Sequence, residues 1–264
     1  MQVINKKNWA CALIVALSSI GIVKADPNNV RQHVPAGGLG GLQDVFDDLY
    51  VSGPGIDAEN DQISAALFTS TASGGSVATF VIELASFAPT TRFGIYSASD
   101  PTNRAEVFDG SDSQGDQAII SFFANGTIKV NFATVATDFS QNWGFYIDVY
   151  GASGAQGGDG NGSTLDYTLY SEDSLNPGDE AQALIYQGDD ATTLQIDGFL
   201  PGEFADNEVI VAFEDTLISQ GFSDENYTDL VVLVESVKPV PAPGAALLAT
   251  LGLGSIGWFR RRRA

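Results

Sequence analysis

Residues 208–237, EVIVAFEDTLISQGFSDENYTDLVVLVESV, decide how this chain folds. Glu208–Phe213 and Leu230–Val234 are apolar at every other position and in between, the pattern of central strands covered on both faces. Between them lies a turn carrying Glu214, Asp215, Asp224, Glu225 and Asp229, with Asn226 among them. Five carboxylates close together repel one another unless a cation neutralises them or water separates them. Calcium is the hard, oxygen-seeking ion that suits such a turn. Glu214, Asp215, Asp224, Asn226 and Asp229 are therefore candidate ligands of a structural calcium, against the competing reading of a solvated acidic turn.

Working outward, residues 76–84 (SVATFVIEL), 91–97 (TRFGIYS), 118–124, 127–133, 143–150, 165–170, 181–187 and 193–196 are further β-branched or aromatic runs. Asp109-Gly110 and Asn125-Gly126 punctuate them, and the second pair sits between two apolar runs as a hairpin signal. About ten short strands at this spacing predict an all-β, antiparallel β-sandwich or jelly-roll-like single domain over residues 42–238. One or two short helices lie near its N-terminus. Leu42, Val45, Phe46 and Leu49 fall at helical spacing within 42–50, and residues 63–69 read as a second helix or a strand. Residues 151–163 (GASGAQGGDGNGS) form a low-complexity loop between strands.

Both ends look like addresses. Lys6 and Lys7 precede an apolar run from Trp9 to Val23, and Val23 and Ala25 fit a signal-peptidase site, placing cleavage between Ala25 and Asp26. A permanent N-terminal anchor is the alternative. Residues 26–41 read as a loose leader containing the lone His33, expected to be solvated. At the other end, residues 239–264 combine Val240-Pro241-Ala242-Pro243, an uncharged run from Ala245 to Phe259, and Arg260, Arg261, Arg262 and Arg263. As a helix the run would span roughly 22 Å, short of the roughly 30 Å hydrocarbon core, with arginines able to snorkel on the far side.

Charge narrows the function. All 33 acidic residues lie between the two end segments, against Arg31, Arg92, Arg104, Lys129 and Lys238, a net charge of −28. That surface repels nucleic acid and anionic headgroups. The single cysteine, Cys11, lies in the signal segment, so the mature domain has no disulfide or thiol. No Gly-x-Ser-x-Gly elbow occurs, and any serine triad would have to use His33. The series Asp159, Asn161, Ser163 starts like an EF-hand but has Thr164 where glycine is needed. Asp109, Asp112 and Asp116 read as a solvated loop. Trp143, Tyr146 and Tyr150 could stack on sugars, although alternating aromatics in a strand more often face a core.

Two family resemblances sharpen this reading. The tail resembles the PEP-CTERM sorting signal of Gram-negative bacteria, read by exosortase-type membrane proteases, with Ala242 in place of the usual glutamate. Phe213, Glu214 and Asp215, then Asp224, Asn226, Tyr227, Asp229 and Leu230, resemble the closing segment of the secreted bacterial domain of unknown function 4114. NWGFYIDVYG, LQDVFDDLYVSG, FGIYSASD and LYSEDSLNPGDEAQALIYQG also resemble that group. That group has no established enzymatic activity to carry over, and the resemblance implies an acidic ending suited to calcium. It implies signal peptidase and an exosortase-type protease as export partners, with transient membrane insertion through the tail. The expected product is a non-enzymatic structural protein of the cell surface or extracellular matrix, associated with exopolysaccharide and biofilm. A calcium-dependent carbohydrate-binding module is the alternative, and a glycosidase a third reading.

Overall fold

The computed structural model describes residues 33–71, 76–82, 91–151, 164–221 and 223–240, the segment 76–82 by its backbone alone. The signal segment with Ala25 and Asp26, residues 26–32 of the leader, most of the 151–163 loop, Pro241–Pro243 and Arg260–Arg263 lie outside the described residues.

Two antiparallel sheets carry the fold. Numbering strands along the chain, the larger sheet runs β11 (Ala183–Gln187), β14 (Glu208–Phe213), β15 (Leu230–Glu235), β3 (Ser76–Ile82), β6 (Gln117–Phe122), β7 (Ile128–Val130) and β8 (Ala133–Ala136). The other runs β16 (Val237–Pro239), β2 (Phe68–Ser70), β9 (Trp143–Tyr150), β4 (Thr91–Ser97) and β5 (Asp100–Phe108), with β10 (Leu165–Tyr170) also paired to β9. A small third sheet joins β1 (Tyr50–Ser52), β12 (Thr193–Leu194) and β13 (Gly202–Glu203). Helix α1 (Gly40–Leu49) precedes them.

The opening stretch behaves as its pattern demands. Val209, Val211 and Phe213 of β14, with Val232 and Val234 of β15, face Phe93, Phe145 and Ile147 of the second sheet in one apolar core. The intervening Ile210, Ala212 and Val231 face the opposite way, where Leu42, Phe46 and Leu49 of α1 cover them. Apart from the half-exposed Glu208, Leu233 and Glu235, both faces of these strands are therefore dry, which accounts for their apolar runs. Trp143 and Tyr146 are buried parts of this framework. Tyr150 carries Arg92 over its ring at 4.7 Å.

Several expectations shift. The 63–69 segment gives the strand β2 rather than a helix. Residues 127–133 divide into β7 and β8 around Asn131 and Phe132, whose φ values of 48° and 69° make a two-residue hairpin turn. That positive-φ pair has the type I′ pattern, in which glycine normally occupies the second place. Asn125-Gly126 closes the preceding hairpin: Gly126, at φ 80°, donates its N–H to Phe123 O at 2.9 Å. The nine-residue β5 has no counterpart in the sequence reading. Its Pro101 and polar face hide it, and its edge position is where a strand tolerates proline.

The N-terminal leader is tied down from His33 onward. His33 donates its N–H to Gln62 Oε1 at 2.9 Å, and its Nε2 lies 3.2 Å from Glu225 Oε2, with the ring edge-on to Tyr227. At the other end β16 continues through Pro239, and Val240 donates its N–H to Leu67 O at 2.8 Å.

Candidate metal centre

Ladder register builds the site. Phe213 at the end of β14 pairs with Leu230 at the start of β15. Glu214 and Asp215 therefore leave one strand beside the point where Asp229 enters the next. Carboxylate oxygens of Glu214, Asp215 and Asp229 lie within 4.8 Å of one another. Two oxygens on opposite sides of a calcium ion, each about 2.4 Å away, are separated by about that much.

The surroundings fix the backbone more than the charges. Gln182 Nε2 donates to both Glu214 O and Thr216 O at 3.0 Å, while its Oε1 accepts the Ile218 N–H at 3.0 Å. Gln182 O accepts the Glu214 N–H, also at 3.0 Å. One buried glutamine thus clamps residues 214–218. Tyr167 on β10 donates its hydroxyl to Asp215 O at 2.9 Å. Thr91 of β4 reaches Asp215 Oδ2 at 3.4 Å, and Thr216 Oγ1 reaches Oδ1 at 3.2 Å. The site is held from both sheets.

The charges are poorly compensated. Glu214 and Asp215 are 1% and 2% exposed. Glu214 Oε2 is buried and receives no hydrogen bond. Among the described residues no lysine, arginine or histidine pairs with any of the three; the ion pairs there are His33–Glu225, Arg92–Glu106 and Arg104–Asp148. Burial, followed by the Asp229 charge, pushes Glu214 up to about 9 and Asp215 up to about 8. Asp229 is also raised, first by burial. Such a pocket holds protons at neutral pH unless a cation takes their place.

Asp224 and Asn226 stand differently. Asp224 is exposed; its Oδ2 accepts Asn226 Nδ2 at 2.8 Å, and its charge contributes to the rise at Glu214. Asn226 Oδ1 accepts Thr228 N–H and Oγ1 at 2.8 and 2.6 Å. These two side chains shape the turn, and Asp224 is not among the three converging carboxylates. Sequence reasoning missed Gln182, Thr91 and Tyr167, which come from segments far off in the sequence and carry no local signal.

No protein-family model matches the chain, and no curated protein does. A solved structure with some likeness is the Chromobacterium violaceum lectin CV2L in complex with alpha-methyl-fucoside. The two are 14% identical, the match covers 67% of this chain and 99% of the lectin, and the TM-score is 0.26. At that score the likeness carries no ligand or activity across to this chain.

Proposed function

We propose that this chain is an exported, non-enzymatic β-sandwich protein of the cell surface or extracellular matrix, fastened by a calcium ion bound to Glu214, Asp215 and Asp229. The observation that carries the calcium reading is Glu214 Oε2, a buried carboxylate oxygen with no hydrogen-bond donor, beside two further carboxylates. A buried carboxylate without a partner costs several kcal/mol, and a divalent cation offsets that cost for all three groups at once. Closure of the site also favours a holding role over a catalytic one, because a substrate could not reach Glu214 or Asp215.

The export reading rests on the two ends of the sequence and on the resemblances given above. Val240, the first residue of the sorting motif, is hydrogen-bonded at the sheet edge. Cleavage just beyond it would free the domain without breaking a strand. Intact-mass measurement of surface-exposed protein tests this. The expected mass lacks Met1–Ala25 and Arg260–Arg263, and mature protein retaining the arginines overturns it.

A second reading, a calcium-dependent carbohydrate-binding module, is favoured by a cleft on the larger sheet in which carboxylates adjoin an apolar lip. In that case the buried ion shapes the domain rather than touching sugar. A glycan-binding assay with and without chelator separates this module from a passive matrix protein, and no binding in either condition counts against it.

A further inference from the structure

Residues 223–229 run into the metal centre at Asp229, and within them Glu225 and Tyr227 stand at φ 54° and 56°. Left-handed backbone at two residues other than glycine persists only where the surroundings impose it. One constraint comes from Tyr227 itself, which is fully buried and donates its hydroxyl to Ala181 O, next to the Gln182 clamp. Another is local: Asn226 Oδ1 accepts the Thr228 N–H at 2.8 Å, one residue before Asp229.

The leader supplies a third constraint, and it meets both left-handed residues. His33 Nε2 lies 3.2 Å from Glu225 Oε2, and its ring stands edge-on to Tyr227 with centroids 5.7 Å apart. The backbone of His33 is anchored by Gln62, whose side chain is fully buried. Gln62 Oε1 accepts the His33 N–H at 2.9 Å, and Nε2 donates to His33 O at 3.1 Å. A few residues on, the chain enters α1, whose Gly41 lies against Thr228. The leader therefore grips the turn from the side away from the carboxylates.

We infer that the leader is a calcium-dependent strap: His33, docked on Glu225 and Tyr227, sets the turn that delivers Asp229, and a cation held by Asp229 keeps that turn in place for His33. The inference rests on the calcium reading and adds regulation of that site by the chain's own N-terminal segment. Coupling between two sites is reciprocal, so the factor that the strap adds to calcium affinity is the factor that calcium adds to docking. Charge alone gives the opposite sign. Removing a side chain able to carry positive charge near a calcium site strengthens binding or leaves it unchanged.

Two measurements on the protein bearing its leader test the strap. In calcium titration, His33→Ala is expected to bind about fivefold more weakly or worse, whereas Lys238→Ala, an exposed cation on β16, leaves affinity unchanged. Limited trypsin digestion of the unaltered protein reads the coupling from the other side. Cleavage after Arg31, two residues before His33, is expected to slow by the same factor in calcium relative to chelator. Cuts after Arg92 and Lys129, inside β4 and β7, measure global opening; while they lag behind, the Arg31 cut reports undocking of the strap. Equal calcium affinity in parent and His33→Ala, or an Arg31 cut of equal rate in both buffers, overturns the strap and leaves the calcium site standing. No calcium binding to the unaltered protein overturns both, so the two failures are told apart. The digestion needs no variant and decides the matter even where His33→Ala folds poorly.

Discussion

Asp215 donates its backbone N–H to Asp229 Oδ2 at 2.9 Å, closing the β14–β15 ladder one step beyond its last paired residues. The bond explains why three carboxylates meet: the register that pairs Phe213 with Leu230 also forces the acids flanking them together. One amide and a few hydroxyls are a weak answer to two buried carboxylates and a third that is half-buried. The arrangement makes sense as a binding site assembled by the two central strands themselves.

Glu214→Gln is expected to change the sign of its effect with calcium. Without calcium the buried Glu214 carboxyl must hold a proton at neutral pH, which glutamine does not need, so in chelator the variant is more stable than the parent by about 1–2 kcal/mol. With calcium present the variant lacks a ligand and is the less stable of the two. Urea denaturation in both buffers measures the crossover, and a variant less stable in both conditions contradicts the charge argument.

Gln182→Leu removes the clamp on residues 214–218. It leaves two buried carbonyls and an N–H without their side-chain partner, at about 1–3 kcal/mol for each group left unsatisfied. Calcium affinity is expected to fall with stability, although no ligand has been changed. Calcium titration of the folded variant is the check.

Glu208 gives a pH dependence of definite sign. Its folded-state value is raised to about 7 from an ordinary 4.5, chiefly by burial. The folded protein therefore holds a proton that the unfolded chain has released. Below about 4.5 the group costs nothing, and stability falls as pH rises to about 7. Because the side chain is only half-buried, the loss is about 1–2 kcal/mol. Glu208→Gln is expected to flatten this part of the stability profile; an unchanged slope contradicts it.

Phe132→Gly should stabilise the protein. Phe132 sits at φ 69° in the β7–β8 turn and is 76% exposed, so it pays for a left-handed backbone while burying little. Glycine relieves about 1–2 kcal/mol of strain and returns part of that in unfolded-state entropy, for a net gain of about 0.5–1 kcal/mol. Thermal denaturation of the variant measures it.

Much of the fold was legible because burial writes itself into periodicity. The boundaries of β4, β9, β10 and β14 fall where the apolar runs do, since strands dry on one or both faces cannot hide their pattern. The edge strand β5 and the Asn131-Phe132 turn were not legible, because edge exposure admits Pro101 and because phenylalanine stands where a turn signal would have been glycine. At the site, Glu214, Asp215 and Asp229 were visible as acids flanking two strands. Their separation from Asp224 and Asn226, and the support from Gln182 and Thr91, depend on register and on contacts between strands far apart in sequence.

The central claim is that a cation completes the cluster of Glu214, Asp215 and Asp229. Its most direct test is the thermal midpoint of the purified protein in 1 mM calcium and in chelator. With a dissociation constant of about 10 μM, binding to the native state alone adds about 2.7 kcal/mol, and the midpoint rises by several degrees in calcium. A midpoint identical in the two buffers would contradict the account.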